Sequence, residues 1–188
     1  MADTMSRIAE GLERAFASRG FAEPSVEDLR DAAGVSLRTL YKYAPSRAEM
    51  VLTALEHRHR RYLARVFNGL PEEPGDALDA ILSRVGDWMA TETSHGCLFH
   101  AAVAADPVSA PLRALLERHK AEVAVRAAEA CGLREAEPEL LLIVEGLTQT
   151  WPLRGNLAVE AAMRLGRALR GARGRADGHG GLAHVDAG

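Results

Sequence analysis

Cysteine is nearly missing from this chain. Its 188 residues include two, Cys97 and Cys131, which make neither a disulfide framework nor a paired zinc-site spacing. A reducing, cytoplasmic setting is therefore expected. Aromatics are sparse at 5%, and no stretch shows the two-residue alternation of a half-buried strand. A chain that is 47% apolar but poor in strand formers should bury its core with helices. Long apolar runs are lacking too. The longest, 140–144, is far short of the roughly 20 residues that span a bilayer, so no membrane role is expected. The opening MADTMSRIAEG has no charged stretch leading into an apolar one, which leaves no signal peptide to expect. GxSxG, HExxH and P-loop patterns are missing, and with them any pointer to an enzyme or a bound cofactor. A net charge of -3 argues against a generally basic coat for nucleic acid, but not against a local patch.

What is present is helical periodicity. Ile8, Leu12, Ala15 and Phe16 share one face of a first helix that Gly20 stops. Ser25 with Asp28 opens a second, which ends at Gly34. Ser36 caps a short third helix to Tyr43, and Pro45 closes it. Ser46 with Glu49 opens a long fourth helix reaching about Phe67. GLPEEPG at 69–75 is a loop. Helical patterns then cover 76–91, 97–105, 109–131, 137–151 and a last span from Asn156, with a break at 93–96. The Gly-rich stretch 171–188 lacks periodicity and reads as a disordered tail. The expectation is an all-α chain of about nine helices. Residues 1–46 form a three-helix helix-turn-helix unit, and 47–170 form a larger bundle in which the fourth helix is the connector.

The run AGVSLRTLYKYAPSRAEM at 33–50 concentrates charge of one sign. Residues 37–65 hold seven cations against two acids. Leu29, Val35 and Leu40 supply the apolar contacts that set two helices at a steep angle about Gly34. That leaves Leu37, Arg38 and Lys42, with the hydroxyls of Thr39, Tyr41 and Tyr43, as a face of donors suited to a major groove. Ser25 and Ser46 sit at helix N-termini, where backbone N–H groups can donate to phosphate. The basic run HRHRRYLAR at 57–65 is expected to complement the C-terminal end of its helix dipole rather than to contact DNA.

On Phe16, Gly20-Phe21, Ala33-Gly34-Val35-Ser36, Thr39-Leu40-Tyr41, Tyr43, Ser46 and Arg47, the segment from Ile8 to about Leu55 resembles the DNA-binding domain of the TetR family of bacterial transcriptional repressors. The resemblance implies a homodimer that holds a double-stranded, palindromic operator and releases it when a small molecule binds. It places Ser25, Thr39, Tyr41, Tyr43 and Arg47 at phosphates, and Leu37, Arg38 and Lys42 at bases. The chain departs from the pattern at Ala44, where the family has Phe, and at Arg30, a usually small position.

In the larger bundle, Trp88, Met89, Cys97, Phe99, His100 and Trp151 are the candidate walls of an effector cavity, with Glu145 and Gln149 as polar anchors. The effector is expected to be small and mostly apolar or aromatic. His95, Cys97 and His100 include zinc-ligand types, but no fourth ligand stands near, so no metal is expected. Helix 137–151 is apolar on more than one face, which points to dimerisation through the last two helices. Two other readings stay open. One is a redox or electrophile sensor acting through Cys97 on the same scaffold. The other is an all-α protein-interaction scaffold without DNA binding.

Overall fold

The computed structural model describes residues 3–92 and 96–179. Nine α-helices run in chain order among them: α1 Thr4–Arg19, α2 Val26–Ala33, α3 Leu37–Tyr43, α4 Arg47–Phe67, α5 Pro74–Glu92, α6 Leu98–Ala105, α7 Ala110–Ala130, α8 Glu137–Arg154 and α9 Asn156–His179. One 3-10 turn, Arg134–Ala136, precedes α8 and has no periodicity of its own to betray it. The described residues include no strand.

The N-terminal helices start and stop where their caps dictate. The Ser25 side chain accepts from the Asp28 N–H while the Asp28 carboxylate accepts from the Ser25 N–H, a reciprocal capping box. Gly34 takes φ +63°, the left-handed conformation that ends α2. The Ser36 and Ser46 hydroxyls accept from Thr39 N and Glu49 N, opening α3 and α4. Between α1 and α2 the approach is so close that a Cβ at Gly11 would lie 2.3 Å from the Ala32 carbonyl oxygen. Ala44 is completely buried, and the stacked pair Phe16–Phe21, with ring centroids 5.1 Å apart, supplies aromatic bulk to the same cluster. Arg30 turns outward to Asp31, 2.6 Å away.

Two apolar clusters hold the chain. The first joins Ile8, Leu12, Phe16, Leu29, Leu40 and Met50 to Leu98, Phe99, Leu112 and Leu115. The core of the N-terminal unit thus continues into α6 and α7. Its break after residue 46 separates segments, not cores. The second cluster joins the far half of α4 (Tyr62, Leu63, Val66) to α5, α7, α8 and α9. α4 belongs to both clusters, and its buried Arg58 and His59 lie on the turn between them.

The last helix continues to His179, nine residues beyond the expected end at 170. Nothing in 171–179 forbids helix as Pro would, and Arg173 anchors it, its guanidinium 2.9 Å from Glu139. Residues 180–188 of the expected tail lie outside the described residues, as do 93–95 of the expected break, His95 included. Among the described residues no helix is long and apolar enough to cross a membrane.

Gly11→Ala should cost about 1–3 kcal/mol of stability, because its methyl group collides with backbone rather than with a side chain that could move. A urea unfolding curve checks this. An unchanged midpoint would show that α1 and α2 separate freely.

Candidate nucleic-acid interface and effector cavity

The α3 face is built by subtraction. Leu40 goes fully into the core, and helical geometry then turns Arg38, Tyr41 and Lys42 outward, with Tyr43 at the end. Tyr41 is 44% and Tyr43 36% exposed. Leu37 and Thr39 are half-buried, and the Thr39 hydroxyl is 2.9 Å from that of Ser36. The Lys42 ammonium stands 5.6 Å from the Tyr43 ring. Nearby Arg14, Arg19 and Arg30 are each paired with an acid. Among the described residues Arg38 and Lys42 have no such partner.

Two expected phosphate contacts are engaged elsewhere. The Arg47 guanidinium donates to the carbonyls of Phe21, at 2.7 Å, and Pro24, at 2.8 Å, and lies over the Phe16 ring. It clamps the α1–α2 turn to the start of α4. The Ser25 hydroxyl is 2.6 Å from the Asp28 carboxylate. Hydrogen bonds from Ser25 and Arg19 hold that carboxyl down at about 2. A phosphate at Ser25 would therefore meet an anion.

The second site is an internal cavity among α4, α5, α6, α7 and α8. Trp88, Met89, Cys97, Phe99 and Glu145 line it as expected. His100 and Gln149 do not. Both are exposed and are hydrogen-bonded to each other at 3.0 Å outside the cavity. Trp151 packs against the second cluster instead. The sequence reading missed Arg58, Tyr62, Leu98, His119, Lys120, Val123 and Thr148. The free volume between these walls is only about 20 Å³, room for about one water.

Polar groups are concentrated at this cavity. The Lys120 ammonium is 2.6 Å from Glu145 and 3.4 Å from the Cys97 sulfur. Burial raises the Cys97 thiol pKa, but a hydrogen bond from His100 and the Lys120 charge outweigh it and bring the thiol down to about 7. Cys131, buried without such neighbours, is pushed up to about 11.

Much of the basic run of α4 is used inside the fold, while Arg60 and Arg65 stay exposed. Arg58 is 2% exposed and donates to the buried Glu13 of α1 at 3.0 Å. His57 and Arg61 reach the same carboxylate at 2.7 and 2.8 Å. Burial alone would raise the Glu13 pKa; these three partners hold it below the ordinary carboxylate value. Arg61 also bonds Glu92 of α5, and Arg58 lies 4.9 Å over the Trp88 ring. One turn on, His59 Nδ1 is 3.0 Å from His119 Nδ1, and its other nitrogen is 3.1 Å from Glu122. Burial chiefly, with Lys120 close by, drives His119 down to about 2, so it is neutral. Neutral His119 can donate its Nδ1 proton to His59. No group of His, Cys, Asp and Glu among the described residues is arranged to hold a metal ion.

Comparison with known proteins fits this arrangement. Residues 8–54 match the family model described as bacterial regulatory proteins, tetR family. A probable HTH-type transcriptional regulator, ArpR of Pseudomonas putida, is 33% identical over 81 residues, which are 42% of this chain and 36% of that relative's length. A TetR-family transcriptional regulator from Streptomyces coelicolor has the same fold, with a TM-score of 0.75 at 21% identity over 90% of both chains. Escherichia coli NemR in its reduced form matches with a TM-score of 0.67 at 19% identity, over 86% of this chain and 94% of that one. Residues 8–54 thus resemble the N-terminal segment of the tetR family of bacterial regulatory proteins, and the chain as described has the fold of TetR-family transcriptional regulators.

Proposed function

We propose that the protein is a repressor that grips a palindromic operator as a homodimer and lets go when a small, mostly apolar effector fills the α4–α8 cavity. The α3 face is the observation that carries this reading. Arg38, Tyr41, Lys42 and Tyr43 stand exposed together, and among the described residues neither cation has an acidic partner. A helix in a major groove needs such donors, some for base edges and some for phosphates. The dimer reading rests on α8 and α9, where Leu142, Leu157 and Leu165 are 72%, 62% and 59% exposed and flank an apolar groove. Pairing two copies there gives the two-fold symmetry of a palindrome, with recognition helices about 34–36 Å apart.

A second reading concerns Cys97. Its thiol, down at about 7 beside Lys120, is half thiolate at neutral pH, and the thiolate is the reactive form. NemR, a structural neighbour, is described in a reduced form. An electrophile bonded to Cys97 would occupy the same cavity as a reversible effector.

Binding to DNA flanking the gene, followed by gel shift, should fall steeply with salt. Arg38→Ala should cost about 1–3 kcal/mol and relax preference at one base pair. Operator binding unaltered by that change would remove α3 as the reading helix.

Arg47→Ala should lower the stability of the head by about 1–3 kcal/mol and leave the salt slope of DNA binding as it was. A flattened slope would return Arg47 to the phosphates.

Leu142→Glu with Leu165→Glu should yield monomers. Light scattering checks this, and a wild type already monomeric at micromolar concentration would contradict the dimer.

Iodoacetamide should alkylate Cys97 with a pH midpoint near 7, far below that of Cys131, and alkylation should weaken operator binding. A midpoint above 8.5, or full operator binding after alkylation, would dismiss the sensor reading.

A further inference from the structure

We propose that the effector is a small aromatic monocarboxylate, whose carboxylate takes the Arg58 guanidinium away from Glu13 while its ring lies against Trp88 and Phe99. The inference deepens the effector-release reading above and rests on it. The cavity admits about one water, so any effector must displace a wall. Arg58 is the wall that matters for the head. It lines the cavity, and its Nη1 is bonded to Glu13 of α1. It also borders the polar groove between α1 and α4 on the other side.

Charge decides which guest can move it. Two cations line the cavity, Arg58 and Lys120; besides the Cys97 thiol, which lies against Lys120, one acid, Glu145, lines it with them. That acid is taken up by Lys120 at 2.6 Å. The acid that balances Arg58 lies outside, on α1. A neutral guest would leave a buried guanidinium unpaired, which is strongly unfavourable. A cationic guest would be repelled by it. A carboxylate replaces Glu13 with a forked pair of the same kind. Tyr62 lines the same space, and its hydroxyl is of the kind that can serve as a second donor. Trp88, Met89 and Phe99 are apolar or aromatic walls for a ring.

Glu13 can survive the exchange because His57 and Arg61 still hold it. Arg58, however, also reaches the Glu92 carbonyl of α5. Capturing it therefore loosens α4 from α1 and from α5 together. A ligand that binds this loosened state better shifts the head by that difference in affinity.

The test uses the full-length protein with four probes: benzoate, phenylacetate, benzamide and benzylamine. Calorimetry and Trp fluorescence give affinities. The two acids should bind about tenfold or more tighter than the amide, with the amine weakest. Because Glu13 competes with the guest for Arg58, Glu13→Gln should tighten acid binding several-fold and leave the amide unchanged. A residue of merely structural importance would do the reverse. Should that variant not fold, hydrogen exchange on the wild type answers the same question: benzoate, and not benzamide, should speed exchange in residues 8–16. Equal affinities for acid and amide, no binding of any probe, acid binding unchanged or weakened by Glu13→Gln, or an α1 segment equally protected with and without benzoate would each overturn the proposal. Acid-selective binding without loss of DNA binding would leave this site standing and refute effector release. Operator release by other compounds, without acid preference, would do the opposite.

Discussion

A buried ion pair between two helices is the constraint around which the rest of this molecule is arranged. Glu13 and Arg58 are each 2% exposed, and taking two such charges out of water costs several kcal/mol per ion before their attraction returns any of it. Only a fully satisfied pair is tolerable. That requirement explains why His57, Arg61 and the Glu92 carbonyl converge on it. Removing one partner would cost about 3–5 kcal/mol, whereas two well-packed apolar residues of the same volume could be as stable. The pair therefore does not act as simple glue. It fixes how α1 seats on α4, and it does so at the one turn of α4 where the two apolar clusters meet.

Placement of the pair also determines what α4 can transmit. Met50, Val51, Ala54 and Leu55 of this helix belong to the head cluster, and Tyr62, Leu63 and Val66 to the bundle cluster. Between them lie Arg58 and His59, bonded to α1 and α7. Apolar contacts slide with little loss, but hydrogen-bonded charges have discrete partners. A helix that must change its angle does so in steps where its contacts are of the second kind. The cavity opens at the same turn, and one side chain, Arg58, both lines it and bonds α1.

Much of the N-terminal unit was legible in the sequence because its signals are local. Ser25, Ser36 and Ser46 each cap a helix through their own hydroxyl, and Gly34 ends one by its own φ. Arg58 was misread by composition although its phase gave it away. It falls on the buried stripe Met50, Ala54, Leu55, Tyr62 and Val66, and a cation on a core stripe must find an acid. The acid lay 45 residues earlier, in a helix whose pattern was read through its apolar positions alone. Lys120 was missed in the same way, next to His119 and Val123. Arg47 and Ser25 were assigned outward because a cation and a hydroxyl at helix starts suit phosphate. Which way they turn depends on carbonyls and carboxylates brought close by the fold. Residues 171–179 were judged on glycine content, when their helicity depends on the Arg173 anchor to Glu139.

The head cluster that runs on into Leu98, Phe99, Leu112 and Leu115 has a consequence for how this chain can be recombined. DNA-reading units are natural pieces to exchange between regulators, since operator choice and effector choice are separate needs. Here the cut would pass through a continuous apolar core. A transplanted head would carry bare surface shaped for α6 and α7, and a foreign bundle would have to present matching side chains there. Exchange is open only to partners whose own α6 and α7 already fit that surface.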